Sequence, residues 1–102
     1  MQINSGARYR SQVCATELIV VRPLPGDVDL TCGGYPLIAL QAEPGAGLQI
    51  KQGADTGTAL GKRYTDPGGQ LELLVTKPGR GTLALGGEPL TLKQVKPLPA
   101  SD

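Results

Sequence analysis

The sequence contains no histidine, no phenylalanine and no tryptophan, and its aromatic content is limited to three tyrosines. Histidine is the usual general base and the commonest metal ligand, so its absence excludes the serine and cysteine triads built on it. We therefore assign no catalytic residues, no metal site and no cofactor. Because large aromatic side chains are missing, aliphatic residues have to fill the interior, and no stacking platform for nucleic-acid bases is available.

Strong charge asymmetry is also missing. Ten lysines and arginines stand against nine aspartates and glutamates, which leaves a net charge of +1. No block of like charges stands out, so the composition does not imply nucleic acid as a partner. No apolar run approaches the roughly 18 residues of a membrane span, and the first residues lack a signal-peptide pattern. We therefore expect a cytoplasmic protein that does not enter a membrane.

Glycine and proline are abundant and spread along the chain. Fifteen glycines and nine prolines leave no window long enough for a well-formed helix. The sequence predicts a single all-β domain, a small antiparallel barrel or sandwich of about seven to eight short strands. We divide it into an N-terminal arm or edge strand over residues 1–11, a β-domain over residues 12–95 and an extended proline-rich tail over residues 96–102.

The most apolar segment of the chain, residues 18–21, is expected to organise the fold. It is too short for a helix and rich in β-branched residues, which predicts a strand. Pro23, Pro25 and Gly26 then turn the chain. A second strand is predicted over residues 28–32, where apolar and polar residues alternate. We expect these two strands to form a hairpin.

The remaining strands are predicted from shorter patterns. The clearest covers residues 70–77, in which Leu71, Leu73 and Val75 face one way. Further strands are predicted over residues 35–40, 48–51, 59–65, 82–85 and 90–93.

Cys14 and Cys32 are the sharpest chemical feature of the sequence. In the predicted hairpin both thiols point into the same core. Three roles remain open for them: inert buried thiols, a reversible disulfide, or half of a metal-thiolate site that a second chain completes. The two-fold alternation of residues 28–32 favours burial of Cys32.

Two short segments are candidates for binding an anion. Gly33 and Gly34 follow the second cysteine and offer backbone N–H groups that can hold an anion or lower the pKa of a neighbouring thiol. Lys62 and Arg63 carry adjacent positive charges that can contact a phosphate.

Three functions are compatible with these features. The favoured one is a non-catalytic β-module that docks onto another protein or onto itself, as an accessory subunit, an assembly or decoration protein, or a self-assembling protein. It rests on the missing catalytic residues, on the apolar residues at both faces of residues 18–21, and on two extended termini. Its candidate partner-binding residues are Tyr9, Pro97, Leu98 and Pro99. The alternatives are a thiol redox or metal-thiolate protein that uses Cys14 and Cys32, and the binding of a small ligand or nucleic acid on a barrel face by Arg8, Arg10, Lys62 and Arg63.

Overall fold

The computed structural model describes residues 1–93, and these residues form an all-β fold of ten short strands. The tail predicted over residues 96–102, with Pro97, Leu98 and Pro99, lies outside the described residues. No helix in residues 1–93 has the length and apolarity that crossing a membrane requires. The strands are β1 (Arg8–Arg10), β2 (Glu17–Arg22), β3 (Leu30–Cys32), β4 (Tyr35–Pro36), β5 (Ile38–Ala39), β6 (Arg63–Thr65), β7 (Glu72–Lys77), β8 (Leu83–Leu85), β9 (Glu88–Pro89) and β10 (Thr91–Leu92).

The strands are arranged in two antiparallel sheets. The larger has six strands in the order β10-β6-β7-β2-β1-β5, and the smaller has four in the order β4-β3-β8-β9. The two longest strands, β2 and β7, are neighbours at the centre of the larger sheet. The all-β prediction is therefore confirmed. The barrel alternative is wrong, because the two sheets do not close into one.

The core draws one alternating set of side chains from each sheet. Leu18 and Val20 of β2 are each 1% exposed, and all three apolar residues predicted to face inward on residues 70–77 are fully buried. The inward side chains of both sheets form one hydrophobic cluster. The polar residues that alternate with them along each strand point outward. The best-buried members are Leu18, Val20, Leu73 and Val75 of the larger sheet, Leu71 just before β7, and Leu30, Cys32 and Leu83 of the smaller sheet.

The predicted founding hairpin is wrong. β2 lies in the larger sheet and β3 in the smaller one, so residues 18–21 and 28–32 do not pair. Residues 23–29 instead carry the chain from one sheet to the other. Pro23 and Pro25 have no backbone N–H that could donate to a neighbouring strand. Both edges of β2 are occupied, one by β1 and the other by β7, so β3 cannot pair with it. Residues 48–51, predicted as a strand, form none.

The N-terminal segment is built into the larger sheet. Residues 1–11 were expected as an arm or an edge strand, but β1 pairs with β2 on one side and with β5 on the other. Ile3 is buried in the core, and the backbone N–H of Val28 donates to the carbonyl of Met1. β1 pairs with β2 over three residues. Its middle side chain, Tyr9, packs against the core, and this packing fixes the register of the pair.

Two Gly-Gly pairs set the tight hairpins of the smaller sheet. Gly33 and Gly34 connect β3 to β4, and Gly86 and Gly87 connect β8 to β9. All four have φ between 59° and 91°, which is the left-handed conformation that a two-residue type I′ hairpin demands at both central positions. Only glycine adopts it without strain.

One buried carboxylate is the centre of an ion-pair cluster on the larger sheet. Glu72 of β7 is 4% exposed and accepts hydrogen bonds from Arg63 at 2.9 Å and from Lys93 at 2.5 Å. The hydrogen bond from Lys93 lowers the pKa of Glu72; burial opposes this shift, and the charges of Lys93 and Arg63 add to it. The carboxylate therefore stabilises the folded state in its ionised form.

Glu72→Gln is expected to lower the free energy of unfolding by about 1–2 kcal/mol at pH 7, because two charge-assisted hydrogen bonds are weakened. A depressed carboxyl pKa stabilises the protein fully above the ordinary value of 4.5, and this contribution is lost as the pH falls through the folded-state pKa. The difference between the variant and the original protein, measured by urea denaturation, should therefore shrink as the pH falls below 4.5. Glu88→Gln, at an exposed position of β9, serves as the control and should change little. An unchanged difference at pH 3 would contradict the ionic role.

Candidate dithiol site

Cys14 is presented by a closed loop between β1 and β2. The loop is shut by the backbone N–H of Ser11, which donates to the carbonyl of Thr16 at 2.9 Å. Inside it, the Ser11 hydroxyl oxygen accepts the N–H groups of Val13 at 3.1 Å and of Cys14 at 3.2 Å. Serine favours this local turn because its hydroxyl replaces a backbone acceptor. Ser11 and Thr16 are both buried, whereas Cys14 is half-buried at the rim.

Cys32 approaches from the other sheet. It ends β3, pairs with Leu83 of β8, and is fully buried. Its sulfur lies 3.8 Å from the Cys14 sulfur, which is close to van der Waals contact and not a bond. The structure therefore brings the two predicted thiols together, although they meet between the two sheets and not within a hairpin. Of the two residues, Cys14 is half-buried and Cys32 is fully buried.

Two glycines bring backbone directly against the sulfurs. A Cβ on Gly79 would lie 2.2 Å from the Thr16 Oγ1 and 2.9 Å from the Cys14 sulfur. A Cβ on Gly81 would lie 2.8 Å from the Cys32 sulfur. The backbone N–H of Gly81 donates to the Cys14 sulfur at 3.4 Å. Any larger residue at either position would push the segment between β7 and β8 away from the thiols.

A chain of hydrogen bonds ends on the Cys14 sulfur. The backbone N–H of Gly79 donates to the Thr58 hydroxyl at 3.0 Å, the Thr58 and Thr16 hydroxyls are 2.9 Å apart, and Thr16 Oγ1 lies 3.2 Å from the Cys14 sulfur. When Cys14 is a thiolate, both hydroxyls can orient toward it, so that Thr58 donates to Thr16 and Thr16 donates to the sulfur. When Cys14 is a thiol, it donates to Thr16, which then donates to Thr58.

The pKa values of the two thiols are shifted in opposite directions. Burial raises the pKa of Cys14, but hydrogen bonds from the Ser11 and Thr16 hydroxyls and from the backbone of Thr16 and Gly81 outweigh it and lower that pKa to about 7. Burial, reinforced by repulsion from the Cys14 thiolate, raises the pKa of Cys32 to about 12. At neutral pH about half of Cys14 is therefore thiolate, whereas Cys32 stays a protonated thiol. Such an arrangement has one nucleophile and, in contact with it, a second sulfur able to displace whatever the nucleophile binds.

The glycines predicted to bind an anion adjoin Cys32 but do not donate to a sulfur. The N–H of Gly33 donates to the carbonyl of Thr82 within the smaller sheet, and the aliphatic part of the Lys51 side chain covers Gly34. The Cys14 sulfur instead accepts the backbone N–H of Gly81, on the facing strand connection. Lys62 and Arg63 lie at β6 of the larger sheet, so the structure does not join them to the two glycines.

Tyr9, a candidate partner-binding residue, packs against the core of the domain, and its hydroxyl donates to the Gln2 carbonyl at 3.5 Å. Its ring therefore contributes to this domain's own packing.

Several residues that surround the two thiols are not predicted from the sequence. Ser11 and Thr16 flank Cys14 at short spacing, so a local turn around the thiol was detectable in principle. Thr58, Gly79 and Gly81 arrive from segments more than 40 residues away in the chain, and no local pattern connects them to a cysteine.

Within residues 1–93 no group of three or more cysteine or carboxylate side chains is positioned to share a metal ion. Comparison with protein-family models, with curated proteins and with solved structures finds no match to this chain.

Proposed function

We propose that this protein is a thiol–disulfide redox protein in which Cys14 and Cys32 cycle between a dithiol and a disulfide. The observation that carries the proposal is the 3.8 Å approach of the two sulfurs at the junction of the two sheets, where the Gly81 N–H and the Thr16 hydroxyl contact the sulfur of Cys14, the half-buried cysteine. A redox pair needs one accessible nucleophile and one resolving thiol, and the differing burial of the two cysteines supplies that division.

In the first step, the Cys14 thiolate attacks one sulfur of a partner disulfide. The sulfur–sulfur bond of the partner breaks, its other sulfur leaves as a thiolate, and Cys14 becomes part of a mixed disulfide. The Gly81 N–H and the Thr16 hydroxyl favour the reactant thiolate, so they raise the fraction of the protein ready to attack at neutral pH.

In the second step, the Cys32 sulfur attacks the Cys14 sulfur and releases the second half of the partner. The Cys32 proton passes to the departing thiolate, so that one partner disulfide is reduced to two thiols while the protein dithiol is oxidised to one disulfide. Forming the mixed disulfide removes the negative charge of Cys14, which is one of the causes that hold the pKa of Cys32 high. The buried thiol thus becomes a better nucleophile only after the first step.

Alkylation should distinguish the two thiols in the native protein. With iodoacetamide, the modification rate of Cys14 is expected to rise with pH and to level off above its pKa of about 7, whereas an ordinary thiol would level off above 9. Cys32 should remain unmodified over the same range because it is fully buried. Peptide mass mapping of the alkylated protein reports both rates.

Variants of single cysteines provide the matching control. With oxidised glutathione as the partner disulfide, Cys32→Ser should accumulate a stable mixed disulfide, since the resolving sulfur is missing. Cys14→Ser should react at least tenfold more slowly. Equal rates for the two variants would contradict the assignment of an attacking and a resolving thiol.

The docking function favoured by the sequence remains a prediction. One of its supports is weaker, because Leu18 and Val20 are buried by this chain's own later strands. On the opposite face of the same strand, Ile19 is half-buried and Val21 is 37% exposed.

A further inference from the structure

The near-zero net charge of the chain conceals a strong separation of charge. Among residues 1–93, the register of the larger sheet places six cationic side chains on its outer face, away from the core, together with two carboxylates, Glu17 and Glu72. We call this outer face the basic face. Its cations are Arg8, Arg10, Arg22, Arg63, Lys77 and Lys93. The other residues of 1–93 carry three cations, Lys51, Lys62 and Arg80, and six carboxylates, Asp27, Asp29, Glu43, Asp55, Asp66 and Glu88.

The two carboxylates of the basic face form ion pairs with only three of its six cations. Glu72 pairs with Arg63 and Lys93, and Glu17 lies 3.7 Å from Lys77. Arg8, Arg10 and Arg22 have no carboxylate within ion-pair distance among residues 1–93. An anionic partner can therefore reach three arginines without displacing an existing ion pair.

Aliphatic side chains occupy the middle of the basic face. Arg8 lies opposite Ile19, Ile19 lies opposite Leu74, and Leu74 lies opposite Arg63, so two half-buried aliphatic residues stand between two arginines in one row across four strands. Tyr9 and Tyr64 alternate with these arginines and point to the core, and the third tyrosine belongs to the smaller sheet. The face therefore offers positive charge around a non-aromatic centre.

We propose that the basic face is a docking surface for an acidic amphipathic helix of a partner protein. An exposed sheet face with aliphatic residues is commonly covered by a helix, and the flanking arginines select a helix with carboxylates beside its apolar stripe. The row continues to Lys93, whose N–H donates to the Arg63 carbonyl, and so spans about 19 Å at the usual strand spacing. A helix of about 13 residues has that length. Nucleic acid fits less well, because it supplies no aliphatic partner for Ile19 and Leu74 and the face has no ring on which a base can stack.

The test uses a synthetic 14-residue helical peptide with leucines along one face and glutamates on both flanks. Its binding to the full chain, measured by fluorescence anisotropy at 50 mM NaCl, should weaken at least tenfold in Arg8→Glu/Arg22→Glu. Lys51→Glu/Arg80→Glu changes the net charge by the same amount away from the face and should alter the affinity less than twofold. Replacing the peptide glutamates with glutamines should reduce binding by at least tenfold.

Three results would overturn the proposal: an equal loss in both double variants, no measurable binding of the acidic peptide, or tighter binding of a 14-nucleotide oligothymidylate than of the peptide. The surface is independent of the thiol chemistry. Cys14→Ser/Cys32→Ser should therefore bind the peptide as well as the original protein, and a failure of one proposal does not affect the other.

Discussion

Oxidation of Cys14 and Cys32 to a disulfide is expected to raise the free energy of unfolding by about 3 kcal/mol. The bond would close a loop between residues separated by 18 positions, and a crosslink over such a loop removes conformational freedom mainly from the unfolded chain. For a domain of this size the gain corresponds to a rise of roughly 15 °C in melting temperature. Thermal unfolding with and without a phosphine reductant, after thiol counting to verify each state, measures the difference.

Cys14→Ser/Cys32→Ser is the matching control, because it retains similar side-chain volume but cannot form the bond. Its melting temperature should be the same under both conditions. If oxidation left the stability of the original protein unchanged or lowered it, the two sulfurs would be unable to bond without distorting the fold, and the redox proposal would lose its geometric basis.

The size of this effect follows from the position of the thiols in the fold. Cys14 precedes β2 of the larger sheet and Cys32 ends β3 of the smaller sheet, so the bond would tie the two sheets together. A typical domain is stable by about 5–15 kcal/mol, so a change of about 3 kcal/mol is a substantial share. The redox state of the dithiol and the stability of the domain are thus coupled by a single bond.

Strand patterns of the sequence were informative about which residues are buried and uninformative about which strands pair. Residues 70–77 were correctly predicted as a strand with Leu71, Leu73 and Val75 inward, because alternation depends only on local backbone geometry. Residues 28–32 alternate as predicted, with Val28, Leu30 and Cys32 buried. The predicted pairing of residues 18–21 with residues 28–32 failed because the partners of β2 are β1 and β7, and β7 lies about 50 residues later in the chain.

For the candidate site, too, local sequence patterns predict burial but not the contacts between distant segments. The sequence identified the two cysteines and predicted that both would face one core, and the alternation of residues 28–32 correctly placed Cys32 inside. The difference in acidity between the thiols could not be predicted, because it depends on Thr16 and on Gly81, and the glycine reaches the site from another strand connection. In the same way, an overall charge of +1 gave no indication of the basic face, since that face exists only in the register of the folded sheet.

Gly79→Ala is expected to destabilise the protein by about 3 kcal/mol and to disrupt the dithiol site without changing a cysteine. The added Cβ would lie 2.5 Å from the Thr16 backbone nitrogen as well as 2.2 Å from its hydroxyl oxygen. The hydroxyl can rotate away, but the backbone cannot, because the carbonyl of Thr16 is tied to Ser11 in the closed loop. The segment carrying Gly79 must therefore move and withdraw its hydrogen bond from Thr58.

The matched control for this glycine is Gly68→Ala. A Cβ at Gly68 would meet its nearest neighbour, an Asp66 carboxylate oxygen, at an ordinary 3.6 Å, and the residue does not need a positive φ. Urea denaturation should show a change below about 0.5 kcal/mol for this control. In the Gly79 variant, displacement of the segment should also carry the Gly81 N–H away from the Cys14 sulfur, so the pH at which alkylation levels off should rise from about 7 toward 9. Unchanged stability and an unchanged alkylation profile in Gly79→Ala would show that this glycine does not hold the backbone against the thiols.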